Sequence, residues 1–147
     1  MAKTFIGRVI VPGTAKAEAL VSSVGFNTLA SYQKSLNSDD MEAICNDPNN
    51  PELYKRPMAG KALCLPKTIG STNGGMLLYW AAKTQKQPAC LLFSKPIDSL
   101  AATGAALAGV WTDVSMPTVD SLGDEFLAAV QTGMTVAVAE DGTVTVE

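Results

Sequence analysis

Residues 61–109 constrain the fold most. "KALCLP" is an apolar run of strand length, a glycine-rich turn follows it, and "GMLLYWAAKTQKQ" sets Met76, Leu77, Tyr79, Trp80 and Ala81 where a mostly buried helix needs them. "PACLLFS" supplies the next strand. "DSLAATGAALAGV" reads as a second helix, capped by Asp98 or Ser99 and closed by Gly109. Two strand–helix units in succession predict a sheet with parallel pairing, because a parallel connection needs a crossover of helical length.

The flanks add antiparallel signals. "TFIGRVIVPGTAKAEALVSS" gives two short apolar segments around Pro12, Gly13 and Thr14, which predicts an opening hairpin. "MTVAVAEDGTVTVE" alternates small apolar and polar residues about Asp141 and Gly142, which predicts a closing hairpin, and "DEFLAAVQTG" before it suits one or two helical turns. Between Val24 and Pro57 the chain is rich in Asn, Asp, Ser and Pro and shows no sustained period. So long an irregular stretch in a small domain points to function. At 147 residues the whole chain, 1–147, fits one domain. Its 47% apolar and 17% charged residues are an apolar balance for a small monomer, so part of the surface is expected to meet a partner.

Composition removes several function classes. The net charge is −3 with no basic run, so nucleic acid is not an expected partner. The apolar stretch in "MAKTFIGRVIVPG" is too short for a signal peptide or a span, and no later run lasts about 18 residues, which predicts a cytoplasmic protein that does not enter a membrane. The chain has no histidine, so it can build neither a serine–histidine pair nor a phosphohistidine carrier. Cys45, Cys64 and Cys90 show no C-x-x-C spacing; Cys64 and Cys90 read as small hydrophobes on buried strands, while Cys45 stays open between core and a ligand shared with another chain.

The turn "PKTIGSTNGG" is the strongest chemical signal. A helix N-terminus presents unpaired N–H groups and partial positive charge, and Gly70, Gly74 and Gly75 let a ligand approach the backbone. The turn lacks the lysine of a P-loop and does not match the dinucleotide fingerprint. Ser71, Thr72 or Asn73 can equally be the helix N-cap. Arg56 and Lys67 are lone basic residues of the kind that sit in solvent, and Asp98 reads as a cap.

The order "GRVIVPGTAKAEALVSS", "LYKRPMAGKALCLPKTIGSTNGG" and "KPIDSLAATGAALAGV" resembles the small subunit of aconitase X over nearly the whole chain. The resemblance implies an α/β fold of the swivelling β/β/α type, with a small mixed sheet, flanking helices and β-hairpins. It implies docking, as a heterodimer, on a large subunit that carries an iron–sulfur cluster, with no cofactor bound by this chain alone. It also implies a hydro-lyase active only with that large subunit, in which Ser71 is the general base and Thr72, Asn73 and Gly74 line the substrate pocket. Phe26 and Asn27, in "VSSVGFNTLASYQ", are expected to reach the same site. The small hydroxy-acid substrate it implies first is cis-3-hydroxy-L-proline, dehydrated to 1-pyrroline-2-carboxylate. Mevalonate 5-phosphate is the alternative, from a branch expected to carry Val and Ser where this chain has Asn73 and Gly75. A non-catalytic anion-binding module using the same helix start is the alternative of another class.

Overall fold

The structure is a computed structural model that describes residues 2–70 and 72–147. Its elements run β1 (Lys3–Ile6), β2 (Arg8–Val11), β3 (Ala15–Val21), β4 (Phe26–Asn27), α1 (Thr28–Leu36), β5 (Ala62–Leu65), β6 (Thr68–Ile69), α2 (Gly74–Lys83), β7 (Cys90–Phe93), α3 (Ser99–Trp111), β8 (Thr118–Asp120), α4 (Asp124–Ala129), β9 (Thr135–Val138) and β10 (Thr143–Val146). Eight strands form one mixed sheet in the order β1-β10-β9-β3-β5-β7-β8-β2, and β4 and β6 make a small parallel pair beside it. As the two strand–helix units require, β5, β7 and β8 are parallel, joined through α2 and α3.

The sheet is nearly closed on itself. Its outermost strands, β1 and β2, are separated in the chain only by Gly7, so the two edges are brought together there. A Cβ on residue 7 would lie 2.5 Å from the Asp120 carbonyl and 2.7 Å from Val119 Cγ1, a close approach that only glycine permits. Arg8 then clamps β2 to β8 with two bonds to Asp120, Nε to Oδ1 at 2.9 Å and Nη2 to Oδ2 at 2.6 Å.

Strand alternation divides the core in two. Leu63, Leu65, Leu91 and Phe93 face α2 and α3, where Leu77, Leu78, Ala81, Ala101, Ala105 and Ala108 pack on them. Ala62, Cys64, Cys90 and Leu92 point the other way, into the curl of the sheet, onto Phe126, Val136, Val138 and Val144. Cys64 and Cys90 are therefore the small buried strand hydrophobes expected of them, and burial pushes the Cys90 thiol up to about 12.

Three expectations change. The opening hairpin does not form: β2 pairs with β8, and β3 pairs with β9 and β5. Residues 12–14 carry no turn, and Gly13 packs against Pro117 as the chain crosses between non-neighbouring strands. Second, the stretch after Val24 contains a helix, α1, whose buried positions are taken by Thr28, Ser31 and Ser35 beside Tyr32 and Leu36. Small polar residues in core positions blur the helical period there. Lys86 closes that helix from a distance, its buried ammonium donating to the carbonyls of Ser35 at 2.7 Å and Ser38 at 2.6 Å. Third, α3 runs past Gly109 to Trp111 and is capped at Thr112, whose N–H donates to Ala108.

Candidate active site

α2 and α3 start side by side and cross at two glycines. A Cβ on Gly75 would strike the carbonyl of Leu100, and one on Gly104 would strike the carbonyl of Gly75, so the two backbones touch. Gly75 thus serves helix packing as well as the cleft wall. Gly70, at φ +94°, also serves packing: a Cβ there would lie 2.7 Å from the side chain of Asn27. Asn27 in turn caps α1, its Oδ1 accepting from the Ala30 amide at 3.1 Å.

These contacts bring the starts of α1, α2 and α3 to one cleft of about 220 Å³. Thr28 comes from the first turn of α1, Gly74 and Gly75 from that of α2, and Leu100 and Ala101 from that of α3; Thr68, Ile69, Gly70, Thr72 and Asp98 complete the wall. Three helix starts line one space, where their dipoles favour negative charge, with no lysine or arginine among the described lining residues. Asp98 is the one ionisable side chain among the described lining residues. It caps α3, Oδ2 accepting from the Ala101 amide at 2.9 Å, and its Oδ1 accepts from the Thr68 hydroxyl, which ties β6 to α3 across the cleft. Behind it Asp120 accepts from the Ile97 amide at 2.7 Å and so fixes the residue before Asp98. Burial works to raise the Asp120 pKa, but the bonds from Arg8 and Ile97 and the Arg8 charge outweigh it and hold that carboxyl below its usual range.

The residues named from sequence fall in different places. Thr72 and Gly74 line the cleft. Asn73 takes the N-cap position of α2, its carbonyl accepting from Leu77 at 3.1 Å, and lines the neighbouring α1–α2 groove. Ser71 lies outside the described residues. Phe26 is 1% exposed and stacks edge-on with Tyr32 in the core, so it supports the site from beneath and does not line it. Asn27 acts through its cap and its contact with Gly70. Asp98 is the cap that was expected, and it is also a wall residue. Arg56 and Lys67 are exposed and away from the cleft lining. Sequence reading missed Thr28 and Thr68 as wall residues; the signal was the Asn27 cap, hidden in a stretch with no visible period, and the two-residue β6.

The cysteines do not suit an iron–sulfur cluster. Cys45, Cys64 and Cys90 are all fully buried, none lines the cleft, and burial raises each thiol, whereas cluster ligation needs thiolate. Cys45 packs in the core beside α1. Among the described residues no group of three or more metal-ligating side chains occurs, and no helix is long and apolar enough to cross a membrane.

A family model described as the aconitase X swivel domain matches residues 4–146. The phosphomevalonate dehydratase small subunit of Thermococcus onnurineus is 30% identical over 142 residues, covering 96% of both chains. That of Methanothermobacter thermautotrophicus is 29% identical over 134 residues, covering 91% of this chain and 92% of its own. The crystal structure of Thermococcus kodakaraensis aconitase X in its holo-form superposes with a TM-score of 0.81 at 29% identity, over 99% of this chain and 98% of that one. Matched in sequence and in fold along almost its entire length, the chain belongs to the aconitase X swivel-domain family.

Proposed function

We propose that the chain is the small subunit of an aconitase X type dehydratase and that its cleft, closed by a large subunit, eliminates water from a 3-hydroxy acid. The observation that carries this reading is the convergence of three helix N-termini on the cleft wall formed by Gly70 and Thr72, the neighbours of Ser71 in the chain. Removing a proton next to a carboxylate builds negative charge, and a serine must lose its own proton before it can act as base. Both steps need fixed positive potential in a space from which water is excluded. The backbone supplies that potential from this side, and the remaining acid–base groups come from the large subunit.

In this reading Ser71, as alkoxide, takes the Cα proton of the substrate. The freed electron pair forms the Cα–Cβ double bond as the C3 hydroxyl, protonated by an acid group of the large subunit, leaves as water. Thr72 and Thr28 offer hydroxyls to the bound acid, and Asp98, held by Thr68, orients it. An iron–sulfur cluster, in this proposal, is held wholly by the large subunit. No step is assigned to this chain's cysteines.

The substrate proposed is cis-3-hydroxy-L-proline, whose elimination product tautomerises to 1-pyrroline-2-carboxylate. A cleft of about 220 Å³ lined by helix starts and one carboxylate suits a compact zwitterion, whose carboxylate meets the helix starts and whose secondary ammonium meets Asp98. Mevalonate 5-phosphate is the second reading, favoured by the names of the relatives from Thermococcus and Methanothermobacter. Its phosphate would draw on the same helix N-termini. Incubating the co-expressed complex with each acid separates the two. Turnover of the hydroxyproline alone is the expected result; turnover of the phosphate alone assigns the second reading, and turnover of neither acid by an assembled complex contradicts both.

A further inference from the structure

Six of the ten large apolar side chains exposed among the described residues, Ile69, Met76, Trp80, Leu100, Val110 and Trp111, lie on β6, α2 and α3. α3 carries no charged residue from Ser99 to Trp111, yet its outer side is open: Val110 is 72% exposed and Trp111 64%. A helix apolar on every side belongs in a core, and an open apolar face of this kind marks a contact with another protein. Trp111 is on this face, and tryptophan is among the residue types that most often anchor interfaces. The face is also preformed. The Gly75–Gly104 crossing fixes α2 against α3, and Tyr79 meets Trp111 edge-on at 5.7 Å.

We propose that the large subunit docks along the whole outer face of α3, with Val110 and Trp111 as anchors at the end away from the cleft. This rests on the small-subunit reading above and adds to it the surface that the partner grips. Continuity selects the occupant: Leu100 belongs both to the cleft wall and to the apolar face, so a partner that completes the cleft already stands at the start of that face. A second copy of this chain on the same face would cover Leu100 and shut the cleft from the groups it needs. Because one rigid helix carries both the cleft wall and the far anchors, docking at Trp111 also sets how closely the cleft meets the large subunit.

The test is titration of the large subunit with the wild-type chain and with Trp111→Glu, Val110→Lys and Ile6→Lys. Ile6 is 74% exposed on β1, outside the face, and serves as control. Helical circular dichroism and the melting temperature show that each variant folds; Val110→Lys disturbs no buried contact. Trp111→Glu and Val110→Lys are each expected to weaken the complex by about thirty-fold or more, the scale of an interface hot spot, with Ile6→Lys unchanged. Wild-type chain that binds, with both α3 variants within about three-fold of it, overturns the docking face and leaves the small-subunit reading standing. Wild-type chain that does not bind any large subunit overturns both. A free chain that is dimeric, becomes monomeric with Val110→Lys and yet binds the large subunit unchanged gives the face to a second copy and overturns the proposal.

Discussion

Asp98 holds two walls of the cleft together, and its replacements separate the cap from the charge. Asp98→Asn keeps an oxygen for the Ala101 amide and is expected to leave stability almost unchanged, whereas Asp98→Ala should cost about 0.5–2 kcal/mol in a denaturant titration. If the carboxylate orients a substrate ammonium, Asp98→Asn in the assembled complex raises KM for the hydroxyproline; an unchanged KM restricts Asp98 to capping. The buried thiols make a second prediction. Cys90 is held at about 12 and Cys64 well above its usual value, so their contribution to stability is full below roughly pH 8.5, where free thiols titrate, and is lost as pH rises from there toward about 12. A thiol reagent at pH 8 should therefore label no cysteine in the native chain and all three after unfolding; rapid labelling of native Cys64 or Cys90 would contradict the burial. At this scale the sequence was legible where residue chemistry is local. Asp98 as a cap and Cys64 and Cys90 as core follow from neighbours along the chain. The burial of Phe26 does not, because an aromatic beside glycine in a polar stretch suits a surface loop as well as a core.

Two glycines on α3 have opposite roles, although sequence alone presents them alike. Gly104 lies against the backbone of Gly75, so Gly104→Ala must push α3 off α2 and is expected to destabilise by about 1–3 kcal/mol while distorting the cleft. Gly109 has nothing within 4 Å of its would-be Cβ and sits inside the helix, so Gly109→Ala should stabilise by about 1 kcal/mol. Thermal melts of the two variants should shift in opposite directions; shifts of the same sign would contradict the crossing. The end of α2 follows a third pattern. Gln85 has φ +61°, with its N–H on Ala82 at 3.1 Å and the Lys86 N–H on Ala81 at 2.8 Å, a Schellman closure built on a residue with a Cβ. Gln85→Gly should raise stability by about 1 kcal/mol, measured in the same way. The elements from 61 to 111 were legible because their apolar runs exceed the noise of composition. α1 was not, since its inward face is written in Thr and Ser, and β4 and β6 are too short to carry a period.

For the whole molecule the deciding feature is closure of the sheet at Gly7 and the Arg8–Asp120 clamp beside it. Asp120 is buried and its pKa is lowered in the fold, so the stability it adds is complete above roughly pH 4, where an unfolded aspartate titrates, and falls as pH drops through the lower folded value. Asp120→Asn should flatten that acid limb and loosen the Ile97 segment that sets Asp98; an unaltered limb would show that other carboxylates control acid unfolding. The order of strands was not legible. β1 and β2 find partners more than a hundred residues away, and nothing local distinguishes an opening hairpin from two strands that part at Pro12 to join opposite sides of a curled sheet.

The most direct test of the central claim is exchange of the substrate's α-proton with solvent in the assembled complex, compared between Ser71→Ala and Thr72→Ala. Asn73 holds the N-cap position of α2 without a side-chain capping bond, and Thr72→Ala, on the same turn, controls for disturbance of the helix start. The account predicts that Ser71→Ala loses roughly two to four orders of magnitude in exchange and turnover while Thr72→Ala keeps most of both. Exchange near the wild-type rate in an assembled Ser71→Ala complex would contradict it.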